Sequence, residues 1–114
     1  STVVSKLQKK YSYIDLIKYS FPMGSMTGAP KIRAMELIEQ YEKTKRSLYS
    51  GAVGYISPSK DFDFNVVIRS FLYNESEKYL SFQVGSAITD KSLPEKEYEE
   101  CLLKAEAMIK SLNK

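Results

Sequence analysis

Three sets of residues in this chain have types and spacings that could do chemistry. The first lies near the C-terminus. Wound as a helix at about 100° per residue, Glu97, Glu100 and Lys104 fall within roughly 60° of one another. They border an apolar stripe of Tyr98, Cys101, Leu102, Ala105, Met108, Ile109 and Leu112, whereas Glu99 and Glu106 point to solvent. Two border carboxylates one turn apart suit a hard divalent cation with oxygen ligands, such as Mg²⁺, and Lys104 beside them suits an anion. The competing reading is a plain i,i+4 salt bridge between Glu100 and Lys104, worth ~0.3 kcal/mol.

The second set is the stretch Phe-Pro-Met-Gly-Ser-Met-Thr-Gly-Ala-Pro-Lys at residues 21–31, with two glycines, two prolines and two hydroxyls. It runs into a helical pattern over Ile32 to Tyr41, with Thr27 placed to cap it and Pro30 in the first turn. The free N–H groups of such a turn, with the Ser25 and Thr27 hydroxyls beside them, suit a carboxylate or phosphate; the competing reading is an ordinary loop-to-helix entry. The third is Arg69, flanked by Val67 and Phe71 on one face of an alternating segment. A guanidinium there suits a carboxylate, or is one more surface arginine.

Composition narrows the chemistry further. The chain has 114 residues, 43% hydrophobic and 27% charged, enough for one globular domain with a core. A net charge of +3 with scattered basic residues gives no footprint for nucleic acid. No apolar run approaches the roughly 18 residues that span a bilayer, so a soluble, cytoplasmic protein without a membrane partner is expected. The absence of histidine excludes Ser-His and Cys-His catalysis and the common zinc sets, and Cys101 is the only cysteine.

The elements that must position these residues read as follows. Residues 1–7 are β-branched and read as the end of a strand that begins earlier, so the chain is expected to be a piece of a longer one. Ser12 can cap a short helix from Tyr13 to Ser20. In the next helix Ile32, Met35, Ile38 and Tyr41 share a core-directed face, and Glu39 and Lys43 have i,i+4 spacing. Strands are expected over Leu48 to Ile56, where Gly51 and Gly54 mark a bulge or a close backbone approach, over Phe62 to Phe71, and over Tyr79 to Thr89. Ser57 to Lys60 is a turn. The fold class is α+β: an antiparallel sheet of about three to four strands packed with helices, with residues 1–114 forming a single partial domain.

Taken together, four ordered segments resemble the C-terminal part of the chorismate-utilising enzymes. They are the 21–31 stretch, Tyr-Ser-Gly-Ala-Val-Gly-Tyr at 49–55, Phe-Asn-Val-Val-Ile-Arg at 64–69, and Pro-Glu-Lys-Glu-Tyr-Glu-Glu at 94–100 with Lys104 behind it. Within that family the hydroxyls at Ser25 and Thr27 are most similar to the aminodeoxychorismate synthases of the para-aminobenzoate and folate branch; anthranilate synthases usually carry Thr and Ser in that order. The resemblance implies that Tyr49 and Arg69 meet the enolpyruvyl carboxylate and that Gly85 brings its backbone close to the same end. It places Ser25 near the ring carboxylate and C4, Lys104 near the bound carboxylate and metal, and Glu97 and Glu100 on Mg²⁺. Ala87 stands where the family usually has a second glycine, and Lys91 where an Asp often precedes the serine here numbered Ser92.

The resemblance also implies that the groups that break bonds lie in sequence ahead of residue 1, so no catalytic residue is assigned within the chain. The implied reaction is amination of chorismate to 4-amino-4-deoxychorismate with ammonia from a glutamine amidotransferase subunit; the alternative within the family is anthranilate synthesis. The alternative of another class is a stand-alone, non-catalytic module that binds an anion or another subunit. The 114 residues alone are expected to be inactive, and to self-associate through exposed strands.

Overall fold

The computed structural model describes residues 2–113, arranged in two compact units, Ser1–Lys45 and Arg46–Lys114. In the first unit the β-branched start is irregular, not a strand: residues 2–8 pair with nothing in a ladder and Val3 and Val4 are exposed, while Ser1 lies outside the described residues. Extended propensity without a neighbouring strand does not make a sheet.

Helix α1 (Tyr13–Ser20) starts at the expected cap: the Ser12 N–H donates to Asp15 Oδ2 at 2.9 Å and the Asp15 N–H returns to Ser12 Oγ at 3.2 Å. The 21–31 stretch holds a short helix, α2 (Gly24–Thr27), which the turn formers had concealed. Its last residue, Thr27, donates its hydroxyl to the Met23 carbonyl at 3.1 Å and does not cap the next helix. That helix, α3 (Lys31–Tyr41), has Pro30 at its N-cap, and α2 packs against it. Gly28, at φ 123°, ends α2 where a side chain would be strained, and an added Cβ would lie 3.1 Å from the Ala34 Cβ.

Helix α3 stops at Tyr41, before Lys43, so the i,i+4 partnership of Glu39 does not form; Glu39 pairs with Lys45 from the following segment instead. Its apolar face is open: Ile32 is 76% and Tyr41 70% exposed, and Ile32 and Met35 border a shallow groove with Glu36, Glu39 and Gln40.

The second unit carries two antiparallel hairpins, so the four strands are divided between two sheets. Strands β1 (Ala52–Ile56) and β2 (Phe62–Val66) pair with Ala52 opposite Val66, Gly54 opposite Phe64 and Ile56 opposite Phe62. Their turn is closed by the Ser57 N–H on the Asp61 carbonyl at 2.8 Å and the Lys60 N–H on the Ser57 carbonyl at 2.9 Å. Gly54 is the close approach anticipated: an added Cβ would lie 2.1 Å from the Asp63 carbonyl oxygen.

The alternation that suggested a strand as far as Phe71 ends at Val66. There the Ile68 N–H turns back to the Val66 carbonyl at 3.0 Å, and Arg69 takes a left-handed φ of 52°, which no strand residue adopts. Strands β3 (Leu72–Asn74) and β4 (Tyr79–Ser81) form the second hairpin, and residues 82–89 leave it without a ladder partner. Helix α4 (Pro94–Leu112) follows, with Pro94 in its first turn and Glu95 and Glu97 at its positive end.

The expected core does not form among the described residues. No hydrophobic side chain is buried, and the one buried residue is Ser50, 7% exposed. Composition sets how much apolar surface a chain has, but burial requires one layer to cover another. Here the backbone pairs locally, and the α4 stripe stays open, with Tyr98 65% exposed. The chain's solvent-accessible surface is 10074 Å². A folded body of 13.0 kDa exposes about 6,300 Å², and two separate units of these lengths about 7,600 Å².

That surplus predicts that the purified 114-residue chain enhances ANS fluorescence and scatters light as an assembly larger than 13.0 kDa. A monomer without dye enhancement would contradict it. Gly54→Ala should force the β1–β2 register apart, costing about 1–3 kcal/mol of local stability. Amide exchange in residues 52–66 should quicken by about 5- to 150-fold, and unchanged protection would show that the hairpin absorbs the methyl group.

Candidate active site in the C-terminal unit

The long α4 helix presents Glu97, Glu100 and Lys104 on one side over two turns. Against this side lies the irregular segment after β4. The Lys104 ammonium donates to the Gly85 carbonyl at 2.9 Å and pairs with Glu100. One residue on, the Ser86 hydroxyl donates to Glu97. Thus the i,i+4 salt bridge exists, and it is part of a larger clamp that attaches residues 85–86 to α4.

Tyr49 enters from the turn ahead of β1. An added Cβ on Gly85 would sit 2.9 Å from the Tyr49 hydroxyl, so the absence of a side chain lets the phenol lie against the clamp. The turn is held by the Ser50 N–H on the Val67 carbonyl at 2.9 Å and the Val67 N–H on the Gly51 carbonyl at 3.0 Å. These bonds extend the β1–β2 pairing by one step, so Tyr49 and Arg69 emerge at the same end of the hairpin. Arg69 is exposed and makes no ion pair among the described residues, leaving its planar fork open.

Charge on the clamp is tuned by its own members. The hydrogen bond and charge of Lys104, with a lesser pull from the nearby Ser86 hydroxyl, hold the Glu100 carboxyl below its ordinary value of 4.5. The bond to Glu100 raises Lys104 above 10.5, with burial opposing it and the charge of Glu100 adding to it.

The chain matches the chorismate binding enzyme family over residues 1–110. It belongs to that family. It is 41% identical over 112 residues to an anthranilate synthase component 1 of Aquifex aeolicus, covering 98% of the chain and 22% of that relative. It is 46% identical over 110 residues to a probable chloroplastic aminodeoxychorismate synthase of Oryza sativa (96% of the chain, 12% of the relative). It is 40% identical over 112 residues to an aminodeoxychorismate synthase component 1 of Bacillus subtilis (98% and 23%). The chain therefore spans less than a quarter of the length of these relatives. Relatives of both names match it comparably, which resolves the family and not the reaction.

Of the residues singled out in the sequence, Tyr49, Gly85, Glu97, Glu100 and Lys104 come together in the second unit, and Arg69 shares the hairpin end with Tyr49. Ser25 belongs to the first unit, exposed within α2, and its hydroxyl has no partner among the described residues. Thr27 is removed from the anion-site reading by its bond to Met23. Ser86 was missed: a serine after a glycine has no spacing relation to a residue eleven positions later. As for a metal, Glu97 and Glu100 offer oxygen donors, and among the described residues no group of three or more metal-ligating side chains gathers. Two carboxylates fit Mg²⁺, which keeps several waters and takes few protein ligands.

The clamp has a defined pH window. Glu100 titrates below its ordinary value, so its contribution is complete above pH 4.5 and is lost as pH falls through the lowered value. Lys104 titrates above 10.5, so its contribution is complete below pH 10.5 and is lost as pH rises through the raised value. A ¹³C titration of the Glu100 carboxyl should give a midpoint below 4.5 that moves upward in Lys104→Met. A midpoint at or above 4.5 in the unmodified chain would refute the clamp's electrostatics.

Proposed function

We propose that this chain is the substrate- and metal-holding C-terminal part of an aminodeoxychorismate synthase component I. The whole enzyme would convert chorismate, with ammonia from glutamine supplied by an amidotransferase subunit, to 4-amino-4-deoxychorismate for para-aminobenzoate and folate synthesis. The observation that carries this reading is the convergence of Tyr49, Gly85 and Lys104 on the Glu97–Glu100 side of α4. Family membership, and relatives that bear the synthase name, support it. The Ser25 and Thr27 hydroxyl pattern favours amination at C4 over anthranilate formation.

Chorismate is a dicarboxylate, and the roles of the chain's residues follow from that. Lys104 has three N–H donors; two are engaged by Gly85 and Glu100, leaving one for a substrate carboxylate. The open fork of Arg69 suits bidentate contact with the enolpyruvyl carboxylate, with the Tyr49 hydroxyl beside it. Ser25 would face the ring carboxylate and C4. Glu97 and Glu100 would hold Mg²⁺, which when bound supplies a Lewis acid to the ring carboxylate as the C4 hydroxyl leaves. These residues bind and orient; none is proposed to form or break a bond, so the 114 residues alone should be inactive.

The second reading, anthranilate synthase component I, is favoured by relatives of that name at 41% and 43% identity. Chorismate, Mg²⁺ and ammonia supplied to the full polypeptide carrying these residues should yield 4-amino-4-deoxychorismate. Anthranilate as the product would replace the proposal with this second reading. Turnover by the isolated 114-residue chain would overturn the assignment of purely holding roles.

A further inference from the structure

The clamp contains one side chain for which neither the resemblance nor the comparisons supply a role. Ser86 is half-buried between the Lys104-anchored Gly85 carbonyl and the start of α4. Its hydroxyl donates to Glu97. The two carboxylates are unequal without it. Glu100 is held by Lys104 on the next turn, whereas Ser86 is the only side chain that hydrogen-bonds the Glu97 carboxylate among the described residues. Two like charges one helical turn apart repel, and an unheld Glu97 would swing toward solvent.

We propose that Ser86 is a positioning residue, whose hydroxyl holds the Glu97 carboxylate turned toward the same divalent cation as Glu100. This rests on the metal reading given above and extends it to a residue outside the ligand set. Ser86 can do this because its backbone is already fixed: the neighbouring Gly85 carbonyl is tied to Lys104 two turns along the same helix. A single O–H on Glu97 also leaves that carboxylate's remaining lone pairs open to a cation. Ligating carboxylates generally depend on such partners, at about 10–100-fold in metal affinity.

The test is Mn²⁺ binding to the full polypeptide carrying these residues, followed by EPR without substrate or turnover. Ser86→Ala should weaken Mn²⁺ affinity by about 10–100-fold, and Ser86→Thr, which keeps the hydroxyl, should restore most of the loss. Glu100→Gln separates the two layers of the argument. If it weakens Mn²⁺ while Ser86→Ala does not, Ser86 has no positioning role and the metal reading stands. Unchanged affinity in both variants sinks both claims. Equal loss in Ser86→Ala and Ser86→Thr would show that packing, not the hydroxyl, is what matters, and would also overturn the inference.

Discussion

The Lys104 ammonium joins parts of the chain that share neither a sheet nor a helix. It pairs with Glu100 one turn back and donates to the Gly85 carbonyl, nineteen residues earlier in the chain. The segment over residues 82–89 has no ladder, so this bond and the adjacent Ser86 hydroxyl bond to Glu97 fix its path beside α4. Gly85 then serves twice, offering its carbonyl to Lys104 and, by lacking a Cβ, admitting the Tyr49 phenol. Such charge-assisted bonds are stronger than neutral ones, and a carbonyl left without its partner would lose the most where water is scarce.

Among its described residues the same unit buries no apolar side chain, and the contrast is informative. Hairpins and helices satisfy most of their backbone without reference to what lies over them, so β1–β2, β3–β4, α1 and α4 form although their apolar sides are open. Polar bonds therefore do the positioning that packing performs in a layered domain. An exposed ion pair is worth little alone, but the Lys104 group is part of a network with a backbone carbonyl and a serine, where geometry is shared among members.

Much of this was legible in the residues. Ser12 and Asp15 announced α1 by their capping spacing, Gly54 its close approach, Ser57 to Lys60 the turn, and the 97, 100, 104 periodicity the shared side of α4. The failures have physical causes. Alternation from Phe62 onward could not reveal that Val66 and Ile68 close a tight turn or that Arg69 is left-handed, because neither needs glycine or proline. Thr27 read as a cap because its hydroxyl could serve either helix, and it serves the one behind it. The β-branched start and the apolar stripes predicted neighbours that the chain itself does not place over them. Ser86 left no trace, since a hydrogen bond across eleven residues of irregular chain has no period.

A crystal structure of the full polypeptide carrying these residues tests the central claim most directly, through one distance. If the clamp organises the site, Lys104 Nζ lies within hydrogen-bonding reach of the Gly85 carbonyl, near the 2.9 Å found here, with Glu100 on its other side. A Lys104 side chain turned to solvent, with residues 85–86 lifted from α4, would contradict the account.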